Sequence, residues 1–188
     1  MTGGGDSLQY ATLPSVTVAR VAAIDIAVHW RWWVVLALGT SLLAGPVLPA
    51  RFPSWDEPTL WLTSVAVVLA GELMLLLHEL SHALVARGRG QTVQRIIFHG
   101  MLAETVLGEG VPTPRHDAVI ALVGPATNLV LAALAQTLRV TFEPTGPLGV
   151  LMLLLMLANL AMAATSLVPV GASDGGRVLR AWRRSRAG

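Results

Sequence analysis

The stretch LLLHELSHALVA carries two imidazoles and a carboxylate, His78-Glu79-Leu80-Ser81-His82, inside an otherwise apolar run. Polar and ionisable groups at membrane depth are costly and usually mark a functional site. On a helix, positions i and i+4 differ by about 40° in azimuth and ~6 Å in height, so His78 and His82 can reach one metal ion. Glu79 lies about 100° round from His78, near enough to take a proton from water at that metal. The chemistry this suggests is zinc-assisted hydrolysis: zinc brings the pKa of water from 15.7 toward about 7, and a carboxylate helps deliver hydroxide to a carbonyl. The competing reading is a pair of histidines that hydrogen-bond between helices.

Zinc held by two histidines needs a third protein ligand and an open position. The chain has no cysteine. Candidates are therefore Asp174, Glu72, Glu104, His99 and His116. Asp174 sits in SLVPVGASDGGRVLRA, where an apolar run breaks at Pro169 and Gly171 and a new helix is expected from Gly175. Irregular backbone at membrane depth is tolerated where it lines an enclosed cavity. A helix N-cap is the other natural role for Asp174, and spacing alone does not choose between the two. The run GPATNLVLA adds Gly124 and Pro125, which permit close helix approach, and Asn128 one turn on. Asn128 could donate to a substrate carbonyl or developing oxyanion, or make an interhelical hydrogen bond. Glu72, seven residues before Glu79, would lie on nearly the same face about 10 Å deeper, against a group such as Thr40 or Ser41. It reads as a buried structural acid. His99 reads as a structural or substrate-strand residue and His116 as interfacial.

The elements that must position these residues are membrane helices. Of 188 residues, 54% are hydrophobic and 13% charged; a soluble domain carries about 25% charged residues. Apolar runs at 32–50, 60–86, 118–138 and 148–170 are each about long enough to cross ~30 Å of hydrocarbon. Gly45, Pro46 and Pro49 should kink or shorten the first. The expected fold is an all-α polytopic membrane protein with about four transmembrane helices and a short β segment on the cytoplasmic side. Residues 91–111, with Gly100, Gly108 and Gly110, should form a strand pair, and VTVARVAAIDIAVHW a strand or surface segment. A strand pair of this kind can hold an unwound substrate by pairing with its backbone. Residues 1–20 open polar and glycine-rich and do not resemble a cleavable signal peptide. A single membrane-embedded domain over 1–188 is expected.

All thirteen basic residues are arginine. Arg20 and Arg31, then Arg87, Arg89, Arg95 and Arg115, then Arg177, Arg180, Arg183, Arg184 and Arg186 would fall on one side of a four-helix chain. Arg51 and Arg139 would fall on the other. The positive-inside rule makes the first side cytoplasmic, with both termini there, in the cell membrane. Trp30, Trp32 and Trp33 at one boundary, and Trp55 and Trp61 at the other, suit interfacial belts. Arginines scattered at the ends of apolar runs argue against nucleic acid as a partner.

H-E-x-x-H on one spanning helix, G-P-x-x-N on the next, and a proline-to-D-G-G segment after the following one resemble the site-2 protease family of intramembrane zinc metalloproteases. The likeness covers roughly residues 20–185, and VHWRWW resembles the compact prokaryotic branch that includes a sporulation sigma-factor-processing protease. The resemblance implies that His78, His82 and Asp174 bind one zinc ion, that Glu79 is the general base and that Asn128 assists. It implies hydrolysis of a peptide bond within or beside a transmembrane segment of a membrane-anchored substrate, such as an anti-sigma factor or transcription-regulator precursor. Three features depart from the family's pattern. Ser166 stands where the family often has asparagine. Gly171, Ala172 and Ser173 replace bulkier residues that include a second proline. The chain stops soon after RAWRRSRAG, where many relatives continue with two more helices and a nucleotide-sensing domain, so a minimal four-helix core and part of a longer chain are both open. The rival reading is an inactive zinc-binding homologue that sequesters membrane clients. A metal transporter fits poorly, because the polar groups gather near one face.

Overall fold

The structure, a computed structural model, describes residues 14–100, 102–107 and 112–187. Residues 1–13, Gly108 and Gly110 lie outside these. Two strands, β1 (Ser15–Val21) and β2 (Ile24–His29), open the described chain. They form an antiparallel hairpin, with residues 15–20 inside β1. Its two-residue turn is Ala22-Ala23, both in the left-handed region at φ 49° and 60°. Hairpin twist demands that geometry, which asparagine or glycine would adopt at lower cost. The Arg87 guanidinium donates to the Ala22 carbonyl and ties the turn down.

Four helices are long and apolar enough to cross a membrane: α1 (Trp30–Arg51), α2 (Glu57–Gly88), α3 (Pro114–Phe142) and α4 (Gly146–Ser166). Local chemistry sets their ends. The His29 ring accepts from the Arg31 N–H to cap α1. Asp56 caps α2 by accepting from the Thr59 N–H at 3.1 Å; hydrogen bonds from Thr59 lower its pKa below the usual carboxylate value. Thr113 caps α3, followed by Pro114 at the first helical position, where a missing N–H costs nothing. The break expected in the first run is a π-helical turn at Leu43–Val47 that contains Pro46. The fourth run stops at Ser166, earlier than its apolar stretch. The chain then turns through residues 167–173 into α5 (Asp174–Ala187), one residue before the expected start.

Leu62, Val130 and Leu38 are 71%, 67% and 65% exposed. Apolar faces this continuous are not stable in water, so lipid is their solvent. By alternation, four crossings put the hairpin, residues 89–113 and α5 on one side. Trp30, Trp33 and Trp61 face outward, as interfacial residues would. Trp32 does not: its indole N–H donates to Glu72 at 2.8 Å. That indole, not Thr40 or Ser41, is the partner of Glu72, and the pair links α1 to α2.

Strands β3 (Val93–Phe98) and β4 (Ala103–Leu107) form the expected pair between α2 and α3. They are half of a larger element. β2 pairs in parallel with β3, giving one four-stranded sheet in the order β1-β2-β3-β4. Its apolar face, with Ile24, Ile26, Val28, Ile96 and Phe98, packs on Ala83, Leu75, Leu76 and Leu80 of α2. The sheet therefore leans on the turns that carry His78, Glu79 and His82. Burial of five branched or aromatic side chains there holds it against α2 at about 1.5–3 kcal/mol each.

Candidate metal centre

The histidines of α2 face α3 and are 4% and 6% exposed. Their Nε2 atoms lie 3.0 Å apart. Asp174, at the start of α5, brings its Oδ2 to 3.2 Å from His78 Nε2 and its Oδ1 to 3.2 Å from His82 Nε2. Three ligands held about 2.0–2.1 Å from a tetrahedral zinc stand roughly 3.3 Å from one another. The spacings found here are close to that value, with each imidazole facing a different oxygen of the Asp174 carboxylate, and the residue types suit zinc. Burial opposes ionisation of Asp174, but hydrogen bonds from His78 and His82 more than offset it and hold its pKa at about 2. Asp174 is thus a carboxylate, the form that binds metal, throughout the neutral range.

The N-cap role that competed for Asp174 belongs to its neighbour. The Gly176 N–H donates to Ser173 Oγ at 3.0 Å, the contact an N-cap makes with the third helical residue. The Ser173 hydroxyl itself donates to the Val168 carbonyl at 2.5 Å. With the cap provided, Asp174 is free to turn toward the histidines. A small residue at 173 thus has a positioning role that spacing did not reveal. The glycine pair matters too: a Cβ at Gly175 would stand 2.0 Å from the Leu167 carbonyl oxygen, so only glycine lets α5 begin this close to the end of α4.

One stripe of α3 lines the centre from the other side. His82 Nδ1 lies 2.6 Å from the Ile120 carbonyl oxygen. That contact puts the proton on Nδ1 and leaves the Nε2 lone pair for a metal. Pro125 lacks the N–H that would bond the Ala121 carbonyl and so loosens the helix ladder beside that contact. Gly124 lies against both rings; a Cβ there would meet His82 Nε2 at 2.3 Å and His78 Nε2 at 2.6 Å.

Asn128, fully buried, places its amide 3.0 Å from His78 Nδ1. That is an interhelical contact to a ligand, not a position open to substrate. As drawn, the NH₂ faces the ring and the amide oxygen has no partner. The reverse orientation of the amide satisfies more chemistry. Its oxygen then accepts from His78 Nδ1–H, and Nε2 is left free, as on His82. We expect Asn128→Ala to weaken zinc binding by about 10–100-fold and Asn128→Asp, still an acceptor, to retain most of it. Chelator competition measures both. Tighter binding by the alanine variant than by the aspartate one would mean that the amide donates.

The Glu79 carboxylate lies between the histidines and the sheet. Thr105 of β4 donates to its Oε2 at 2.8 Å. Its carboxylate still has a donor atom within 4.8 Å of both imidazoles. Thr105 went unnoticed in the sequence, where only the strand register reveals that it faces α2. The remaining candidates are elsewhere. Glu72 is held by Trp32. His99 turns the hairpin with its N–H on the Leu102 carbonyl, and burial lowers its pKa. Glu104 lies in β4 opposite Ile97. His116 sits in the first turn of α3. Ser166 donates to the Ala163 carbonyl of its own helix at 3.2 Å.

No family profile matches the chain. Rip3 of Mycobacterium tuberculosis, whose name provisionally makes it a zinc metalloprotease, is 33% identical over 175 residues, covering 90% of this chain and 44% of the relative. The similarly named sll0528 of Synechocystis is 34% identical over 170 residues, covering 88% of this chain and 43% of that protein. The Site-2 Protease from Methanocaldococcus jannaschii shares the fold, with a TM-score of 0.60 at 22% identity over 93% of this chain and 74% of that structure.

The chain has the fold of a site-2 protease and is similar in sequence to proteins named as zinc metalloproteases. It spans less than half the length of the curated relatives it matches. Its four apolar helices make it a multi-pass membrane protein. His78, His82 and Asp174 form the candidate metal centre within that fold.

Proposed function

We propose that this chain is the single-domain core of a zinc metalloendopeptidase that cuts membrane-anchored proteins within or beside a transmembrane segment. The observation that carries the reading is the convergence of His78, His82 and Asp174 donors at 3.0–3.2 Å, with Glu79 beside them. Zinc held by His78, His82 and Asp174 would supply Lewis acidity, lowering the pKa of water and polarising a carbonyl. Glu79 takes the proton from the attacking water and delivers it to the leaving amine. Thr105 keeps one of its carboxylate oxygens aimed. Ile120 and Asn128 orient the two imidazoles.

A helical peptide bond is shielded by its own hydrogen bonds, so the substrate must be extended first. Among the described residues β4 is the last strand of the sheet, and a substrate strand added beside it would lie near Glu79, since Thr105 already touches that residue. The free edge is not on β3. Ile96 and Ile97 are fully buried, and β3 is paired on both sides, so prolines there would break the sheet itself. In an antiparallel pair, adjacent residues alternate between facing the partner and facing away. Of Ala103→Pro and Glu104→Pro, therefore, only the outward-facing one should slow cleavage of a transmembrane peptide by at least about tenfold with zinc content unchanged. Full turnover by both variants would reject strand addition. The arginine distribution supports a cytoplasmic site with both termini inside. An anti-sigma factor or regulator precursor is a client by family analogy alone.

One observation favours a second reading, a binding protein that does not cut. Asn128, the side chain the sequence offers to steady an oxyanion, is engaged with His78 instead. Incubating purified protein with membrane peptides and comparing wild type with a Glu79 variant decides between the two.

A further inference from the structure

Asp117 is 7% exposed at the start of α3, yet neither cap nor catalysis uses its side chain. Both of its carboxylate oxygens are taken by α5. Oδ1 accepts from Arg177 Nε at 2.5 Å, and Oδ2 accepts from the Arg184 guanidinium. Arg177 stands three residues beyond Asp174, less than one turn along the same short helix. A third arginine, Arg180, donates to the Gly171 carbonyl at 2.5 Å and holds the loop that leads into it.

Asp117 also lies at a telling register on α3. Asp117, Ile120, Gly124 and Asn128 are spaced by three, four and four residues, which places them along one helical face. Ile120 meets His82, Gly124 makes room for both rings, and Asn128 meets His78. Among the described residues, no hydrogen bond or ion pair joins α3 directly to Asp174. Resting on the zinc reading above, we infer that Asp117 is the positioning residue for Asp174, acting through Arg177 and Arg184. One face of α3 then sets all three metal ligands without ligating any of them.

The physical need is clear. α5 joins α4 through an irregular segment, so its rotation depends on contacts along its length as well as on those at its start. A carboxylate must be held within a few tenths of an ångström to complete a tetrahedral site. The Asp117 side chain is 10% exposed and each of its carboxylate oxygens meets a separate arginine, so this charged, two-pronged contact supplies both direction and distance.

The test measures zinc and cobalt dissociation constants by chelator competition in detergent. The proteins are wild type, Asp117→Asn, Arg184→Gln, Asp174→Ala and the double variant of Asp117→Asn with Asp174→Ala. Asp117→Asn should weaken metal binding by about 10–100-fold and Arg184→Gln in the same direction. In the Asp174→Ala background, Asp117→Asn should weaken it no further. Unchanged affinity in Asp117→Asn overturns the inference. So does an equal fold-loss in both backgrounds, which would signal general damage to helix packing. If Asp117→Asn does not give folded protein, Arg184→Gln alone and combined with Asp174→Ala carries the same comparison. A wild type that holds no divalent metal sinks the zinc reading and this inference together. Loss on Asp174→Ala with none on Asp117→Asn sinks the inference alone.

Discussion

Glu79→Gln is expected to lower peptide hydrolysis by about 10²–10⁴-fold, the share general base catalysis commonly supplies, while zinc content stays at one ion per chain. Glutamine keeps the size of the side chain and can still accept from Thr105, whose contact with Glu79 is 2.8 Å. Only the basic oxygen is lost. The His78, His82 and Asp174 donors that face one another do not include Glu79, so metal affinity should hold. Mass spectrometry of cleaved transmembrane peptides reports the first quantity and elemental analysis the second. Two results would be informative in the other direction. Undiminished cleavage would remove Glu79 from the mechanism. No cleavage by wild type, with metal retained in both, would favour a client-binding role.

The second large effect concerns Asp174. Structural zinc sites bind with about 10–16 kcal/mol in total, so one ligand of three carries roughly 3–5 kcal/mol. Asp174→Ala should therefore weaken zinc binding by on the order of 10²–10⁴-fold. The loss should exceed that from Asn128→Ala, because Asn128 acts only through His78. It should not be a folding effect, because the N-cap of α5 is Ser173 and survives the change. Isothermal titration or chelator competition gives the affinity, and circular dichroism the helix content. Wild-type affinity in Asp174→Ala would mean that the third ligand is another residue. Glu79 would then be the first to test, given its distance to both imidazoles.

The histidine pair on α2 is legible in the sequence because it is local. Two histidines four residues apart share a helix face whatever surrounds them, and the long apolar runs allow little but helices. The strand pair was legible for the same reason, from its branched residues and glycines. The hairpin at Ala22-Ala23 carried no turn signal and was left open between strand and surface segment. Its parallel pairing with β3 depends on a crossover through α1 and α2, a non-local event that no window of sequence contains.

Site residues divide along the same line. Helical spacing and residue type alone determined that His78, Glu79 and His82 form a unit, that zinc chemistry must use no thiolate, and that four membrane helices bracket the unit. Only the tertiary structure decided that Asp174 turns toward the histidines while Ser173 caps α5, that the Asn128 amide meets His78, that Thr105 meets Glu79 and that Asp117 pairs with Arg177 and Arg184. Each of those contacts joins residues far apart in the chain. Which side chain meets which is settled by how helices and sheet pack, because hydrogen bonds and ion pairs act over about 3 Å and sequence spacing says nothing at that range.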